Sequence, residues 1–115
     1  MENNSFEKSV PFILADTLDY VPNSVLIKTL FRKITGNISA FSFDTGEVLT
    51  EKITPFDIFI QVIDGRAEII LNGESNVVET GESIIIPAHC RTIIKANTRF
   101  KMLSTLIKSG YDEVS

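Results

Sequence analysis

The sequence predicts an all-β domain, an antiparallel sandwich or barrel of about nine or ten short strands. Turn-forming pairs recur at short intervals, at Thr45-Gly46, Asp64-Gly65, Asn72-Gly73 and Thr80-Gly81. Asp-Gly and Asn-Gly favour the tight turns of β-hairpins because glycine tolerates a positive φ. Between the turns, apolar and polar residues alternate in part, which is typical of strands with one buried face.

The first 24 residues lack this alternation, and we expect an N-terminal region (1–24) ahead of a β-domain (25–115). Residues 1–9 are polar and predicted to form a loose tail. The segment PFILADTLDY is apolar enough for a short helix or an irregular packed arm. Pro22 and Asn23 then indicate a turn that ends this arm.

Each predicted strand is a short apolar segment bounded by turn residues. In GNISAFSFDTG, Ile38 and Ala40 share one face, while Phe41 and Phe43 share the other. Pro87 ends a later strand because proline cannot donate to a strand ladder. The predicted strands lie in SVLIKTLFRKI, GNISAFSFDTG, a strand opened by Gly46, FDIFIQVI, RAEIILN, SNVVET, ESIIIP, CRTIIKA and RFKMLSTLI.

The composition restricts the classes of function. The 115 residues, 43% of them hydrophobic, suit one domain with a real core. The net charge of -4 and the lack of a basic run argue against a nucleic-acid surface. Cys90 is the only cysteine, so no intramolecular disulfide is expected. With neither a signal-peptide pattern nor an apolar run of roughly 20 residues, we expect a cytoplasmic protein without a membrane partner.

The order of glycines, prolines and apolar strands resembles that of small single-domain cupins. Gly46, Gly65, Gly81 and Pro87 match positions of the two cupin sequence motifs. The resemblance covers most of the chain and includes TLFRKITGNISAFSFDTGE. It implies an all-β, cupin-type double-stranded β-helix, also called a jelly-roll barrel, with a short N-terminal arm or helix.

The resemblance also locates the positions at which metal-dependent cupins hold their metal ligands. Lys52 and Thr54 stand where the first motif has two histidines, Ile58 stands at its acidic position, and Thr92 replaces the histidine of the second motif. A protonated lysine and an isoleucine are not ligands, and threonine hydroxyls are far weaker than imidazole for a transition metal. We therefore expect neither a metal nor another cofactor.

The same motif positions predict a mostly apolar pocket with one cation and two hydroxyls. In FDIFIQVI the face of Ile58 points into the barrel, and Phe59 and Ile63 point outward. Asp57 is predicted to accept backbone hydrogen bonds at the start of this strand. The predicted ligand-binding pocket is lined by Lys52, Thr54, Ile58, Ile60, Thr92, Ile94 and Met102, with Phe41 or Phe43 nearby.

Two further residues are predicted at the rim of this pocket. His89 belongs to a residue type that enters left-handed turns readily, and Cys90 is expected to be a packed thiol. Lys52 binds an anionic group, such as a carboxylate or phosphate, forms a Schiff base with a carbonyl compound, or extends to solvent along its flexible stem.

These residues favour a metal-free module that binds or senses a small, anionic metabolite and is dimeric. One alternative is a metal-independent isomerase or epimerase with His89 as its base, although Tyr20 and Tyr111 lie outside the motifs. Another is a partner-binding dimer that pairs through Phe59, Ile63 and the apolar segment VLIKTLF. No catalytic residue is assigned.

Overall fold

The computed structural model describes residues 6–108. Part of the predicted tail, residues 1–5, and the segment 109–115 with Tyr111 lie outside the described residues. The elements are a 3-10 helix (Leu14–Thr17), β1 (Val25–Lys33), β2 (Gly36–Phe43), β3 (Val48–Glu51), β4 (Ile58–Leu71), β5 (Glu74–Glu79), β6 (Ser83–Ile86), β7 (Thr92–Lys95) and β8 (Phe100–Ile107). Within the described range, no helix is long and apolar enough to cross a membrane.

The strands form two antiparallel sheets that share β4. The first sheet has the order β1-β2-β8-β4-β6, and the second has the order β5-β4-β7-β3. The first half of β4 pairs with β6 and β8, and the second half pairs with β5 and β7. This curled arrangement confirms the predicted all-β barrel.

The predicted turn at Asp64-Gly65 is wrong, because this pair lies inside the 14-residue strand β4. The register between β4 and β8 shifts between Val62 and Asp64, which marks a β-bulge. Gly65 has a φ of 90°, and a Cβ there would overlap the carbonyl oxygen of Arg99. The glycine thus bends one strand from the first sheet into the second, and two predicted strands merge into one.

The other predicted turns are present, but only one of them connects two paired strands. Asn72-Gly73 joins β4 to β5 with φ values of 50° and 87°, which confirms the predicted hairpin. Thr45-Gly46 leads from β2 in one sheet to β3 in the other. Thr80-Gly81 joins β5 to β6, which both pair with β4 rather than with each other.

The core lies between the two sheets and is almost entirely apolar. Ile60 of β4 is 1% exposed and its neighbour Phe59 is 40% exposed, which confirms the predicted inward and outward faces. Phe43 and Phe100 stack with their ring centroids 4.4 Å apart. The buried cluster comprises Phe41, Phe43, Ile60, Val62, Ala67, Ile69, Val78, Ile86, Cys90, Ile94, Ala96, Phe100 and Met102.

The described part of the N-terminal region (residues 6–24) is a packed arm on the outer face of the first sheet. Leu18 is its buried anchor, with 2% of its surface exposed. The predicted short helix is the single 3-10 turn at Leu14–Thr17. Three side chains of the sheet donate hydrogen bonds to backbone carbonyls of the arm: Lys28 Nζ to Thr17 at 2.9 Å, Ser42 Oγ to Asp19 at 2.9 Å, and Lys101 Nζ to Ala15 at 2.6 Å.

Candidate functional site

Two loops, residues 52–57 and 87–91, meet at one end of the barrel. The backbone N–H of His89 donates to the carbonyl of Thr54 at 2.7 Å. The backbone N–H of Ala88 donates to Oδ1 of Asp57 at 2.8 Å, which confirms the predicted role of this carboxylate. We call this end the mouth: the two loops together with the strand ends at Glu51, Ile58 and Thr92.

The predicted pocket residues occupy three different environments. Ile60, Ile94 and Met102 are buried in the core between the sheets, and Thr92 is buried where β7 begins at the mouth. Thr54 and Ile58 are half-buried, and Lys52 is exposed. The structure therefore brings Thr54, Ile58 and Thr92 to the mouth, whereas Ile60, Ile94 and Met102 belong to the packed core.

Lys52 follows the last residue of β3 and lies on the solvent side of the mouth. Its exposure corresponds to the predicted alternative in which the side chain extends to solvent. An anion can meet this ammonium only at the rim of the mouth, since the side chain does not occupy the barrel interior.

The carboxylate of Glu51 faces the interior instead. β3 pairs with β7 so that Leu49 lies opposite Ile94 and Glu51 lies opposite Thr92. Directly opposed residues of an antiparallel pair point to the same face. Leu49 packs against the core and Thr92 is buried, so Glu51 shares their inward face. Burial raises the pKa of the half-buried Glu51 carboxyl above its usual range.

Sequence reasoning missed Glu51, although the segment contained a signal for it. The pattern Val48-Leu49-Thr50-Glu51 alternates between exposed and half-buried positions. Counting inward from Leu49 at a period of two places Glu51 inside. The first cupin motif instead places its two histidine positions at Lys52 and Thr54, which lie beyond the end of the strand.

The two predicted rim residues differ in their exposure. His89 is exposed and has a φ of 64°, which confirms the predicted left-handed turn residue. Cys90 is 7% exposed and packs into the core, with its sulfur 3.7 Å from the carbonyl oxygen of Arg91. The Thr92 hydroxyl donates a long hydrogen bond of 3.4 Å to the Cys90 carbonyl.

The donor groups of the mouth do not fit a transition metal. The four positions compared with family ligands hold an ammonium, two hydroxyls and an alkyl group. Between residues 6 and 108, no three His, Cys, Asp or Glu side chains are grouped as a metal site requires. We therefore derive no metal chemistry for this site.

A groove of about 400 Å³ lies between β5 and β6. Half of its lining residues are polar, and the groove is largely open to solvent. Its lining comprises Asn76, Val77, Val78, Glu82, Ser83 and Ile84.

The two curled sheets, their shared strand and the loop-lined mouth define a double-stranded β-helix barrel. A conserved protein of unknown function from Streptococcus pyogenes is 27% identical, with a TM-score of 0.86 over 95% of each chain. A cupin superfamily protein from Desulfitobacterium hafniense is 27% identical, with a TM-score of 0.84 over 93% of this chain and 97% of that chain. A cupin 2 conserved barrel domain protein from Leptotrichia buccalis is 31% identical, with a TM-score of 0.81 over 84% of this chain and 47% of that chain.

The chain has the cupin fold and is similar to proteins of the cupin superfamily, which confirms the resemblance found in the sequence. No protein-family model and no curated protein matches the sequence. The solved structures thus establish the fold, and the activity has to be inferred from the mouth of the barrel.

Proposed function

We propose that this cupin is a metal-free module that binds or senses a small molecule at the mouth of its barrel. The observation that supports the proposal is the pair Glu51 and Thr92, whose polar side chains face an otherwise apolar interior. A mostly apolar cavity with a few convergent polar groups is the usual form of a small-molecule site. The two loops at 52–57 and 87–91 border the entrance.

The exposed side of the mouth favours a ligand with an anionic outer group. Lys52 provides an ammonium on a flexible stem, and His89 provides an imidazole on the facing loop. A lysine side chain of this kind binds a carboxylate or phosphate as a mobile point charge. The ligand then places its charged end at the rim and its apolar end towards Ile58.

Ligand binding is tested first by a native mass spectrum of the protein purified without chelator, followed by thermal shifts with a panel of small carboxylates and phosphates. A ligand that binds only the folded state raises the melting temperature. At a hundredfold excess over Kd it raises the free energy of unfolding by about 2.7 kcal/mol. Lys52→Ala is expected to abolish the shift, and Lys33→Ala, at an exposed lysine of β1, is expected to retain it. One transition-metal ion per chain, or no shift with any compound, contradicts the proposal.

A second candidate function, homodimerisation, is favoured by an apolar row on the outer face of the first sheet. The row crosses five strands in register: Ile85, Phe59, Thr105, Ile38 and Phe31. Phe31, Phe59 and Ile85 are 44%, 40% and 63% exposed. Exposed apolar surface of this kind marks interfaces. Ile63, which was predicted to contribute, lies at the bulge of β4 and is half-buried.

A second copy of the chain is the partner that this row fits best. No residue of the row carries a charge, so an isologous contact around a two-fold axis brings no like charges together. The hydrophobic centre that such an interface requires is supplied twice by the same residues. Packing of two such rows also removes Phe31 and Phe59 from water.

Sedimentation over a roughly hundredfold range of protein concentration tests this dimer. The wild-type protein is expected to sediment as a dimer, and Phe59→Glu as a monomer, because the interface would bury an unpaired charge. Val77→Glu is the matched control, since Val77 is 57% exposed on β5 of the other sheet. A wild-type monomer at the highest concentration refutes the dimer.

A further inference from the structure

Glu51 is a charged side chain on the inner face of the barrel at its mouth. Its neighbour across the ladder is Thr92, and the next residue in the same row is Leu71 of β4. Thr92 is 2% exposed and Leu71 packs against the core. The carboxyl of Glu51 therefore lies beside one buried hydroxyl at the edge of an apolar interior.

The surroundings of Glu51 leave its charge uncompensated by the protein. The ion pair found among residues 6–108 joins Arg99 to Asp44, and Glu51 takes no part in it. A half-buried carboxylate loses part of its hydration, and the raised pKa of the Glu51 carboxyl reflects this loss. A bound group with a positive charge and N–H donors replaces the hydrogen bonds to water that the carboxylate loses on burial. Charge-assisted hydrogen bonds of this kind are stronger than neutral ones.

We propose that Glu51 contacts the ligand directly and selects small molecules that carry an amine, so that the preferred ligand is an amino acid with an apolar side chain. This inference rests on the proposed binding function and specifies the ligand class of the same site. The amine meets the Glu51 carboxylate inside the mouth, and the ligand carboxylate meets the Lys52 ammonium at the rim. The apolar side chain lies against Ile58.

The two charged residues stand on opposite sides of the entrance. Glu51 and Lys52 are consecutive, with Glu51 at the inward position and Lys52 exposed to solvent. A ligand that meets both therefore carries its amine at the inner end, and Lys52 reaches the ligand carboxylate with its flexible stem. A purely anionic ligand gains the contact with Lys52, but like-charge repulsion from Glu51 opposes its entry into the mouth. The amine thus changes a repulsive inner contact into an attractive one.

Three probes with a common alkyl group separate the two contacts. Leucine carries both charged groups, 4-methylpentanoate lacks the amine, and 3-methylbutylamine lacks the carboxylate. Calorimetric titration of the wild-type protein is expected to show leucine binding about tenfold or more tightly than 4-methylpentanoate, as one charge-assisted hydrogen bond supplies. Glu51→Gln keeps the side-chain shape and removes the charge, and it is expected to abolish the preference for leucine over the acid.

Two further variants complete the design. Lys52→Ala is expected to reduce the preference for leucine over 3-methylbutylamine and to leave the effect of the amine intact. Glu79→Gln, at an exposed carboxylate of β5, is expected to bind all three probes as the wild-type protein does. Circular dichroism of each variant verifies that the fold is retained.

The outcomes distinguish failure of the inference from failure of the proposed function. Equal affinity for leucine and 4-methylpentanoate, or a preference that survives in Glu51→Gln, overturns the role of Glu51 while small-molecule binding stands. Failure of the wild-type protein to bind any of the three probes overturns the amino-acid class, and the wider panel of carboxylates and phosphates then decides whether the mouth binds small molecules at all.

Discussion

Gly65 is the residue at which the backbone tolerates least change, because it combines a φ of 90° with contact to a neighbouring chain segment. Gly65→Ala is expected to lower the free energy of unfolding by about 3 kcal/mol or more, since both strain and overlap with the carbonyl of Arg99 oppose a Cβ. Gly73 is a matched control: its φ is 87°, but the space around it is open. Gly73→Ala is therefore expected to lower the free energy of unfolding by only about 1 kcal/mol, which is the cost of holding alanine in the left-handed conformation. Urea unfolding measures both variants, and equal losses contradict the overlap.

Asp44 predicts a specific dependence of stability on pH. The backbone N–H of Asn23 donates to its carboxylate at 2.7 Å and Arg99 Nε donates at 3.0 Å, which together lower the Asp44 pKa below its ordinary value of 3.8. A lowered pKa in the folded state stabilises the protein above the ordinary pKa, and the benefit is lost as the pH falls towards the folded value. The wild-type protein is therefore expected to be more stable than Asp44→Asn at about pH 7, with the gap closing below about pH 4.

Urea midpoints of both proteins across this pH range measure the gap. Glu79→Gln, at an exposed carboxylate of β5, serves as the control for a general effect of removing one negative charge. A gap between wild type and Asp44→Asn that stays constant on acidification contradicts the linkage.

At the same scale, the candidate site shows what the sequence could and could not predict. His89 was placed correctly because a left-handed φ is a local property of residue type and turn. Glu51 was missed because the side on which it points depends on where β3 ends. The strand stops at Glu51, so the inward positions inferred for Lys52 and Thr54 no longer follow from strand alternation.

Among the elements, β4 explains why the number of strands was overestimated. An Asp-Gly pair with a positive φ at glycine is compatible with a hairpin turn and with a β-bulge. The choice at Asp64-Gly65 is made by pairing with β8, a strand about 35 residues further along the chain, and no local pattern contains that information. Asn72-Gly73 has the same local signal and forms the hairpin, since β5 pairs with the strand that precedes it.

The N-terminal arm is a second element with a testable contribution. Leu18 is the buried side chain of the arm, and Leu18→Ala is expected to lower the free energy of unfolding by about 2–4 kcal/mol. Ile13, in the same arm, is 67% exposed, so Ile13→Ala is expected to change stability by no more than about 0.5 kcal/mol. Equilibrium unfolding in urea measures both. A Leu18→Ala variant as stable as Ile13→Ala shows that the arm adds little to the fold.

At the scale of the whole molecule, the sharing of β4 by both sheets links them into one cooperative unit. Ile60 lies in the half of β4 that pairs in the first sheet, and Ile69 lies in the half that pairs in the second. Both are buried in the same core between the sheets. Neither sheet can lose β4 without exposing the inner face of the other, so the sheets are expected to unfold together.

Calorimetry of three proteins tests this cooperativity. The wild-type protein is expected to show one transition whose calorimetric and van't Hoff enthalpies agree. Ile60→Ala and Ile69→Ala are each expected to cost about 2–5 kcal/mol and to shift that single transition to lower temperature without dividing it. If Ile60→Ala shifted one of two resolved transitions and Ile69→Ala the other, the sheets would be separate units. The shared strand would then connect them without coupling them, and the bulge at Gly65 would be the point at which cooperativity ends.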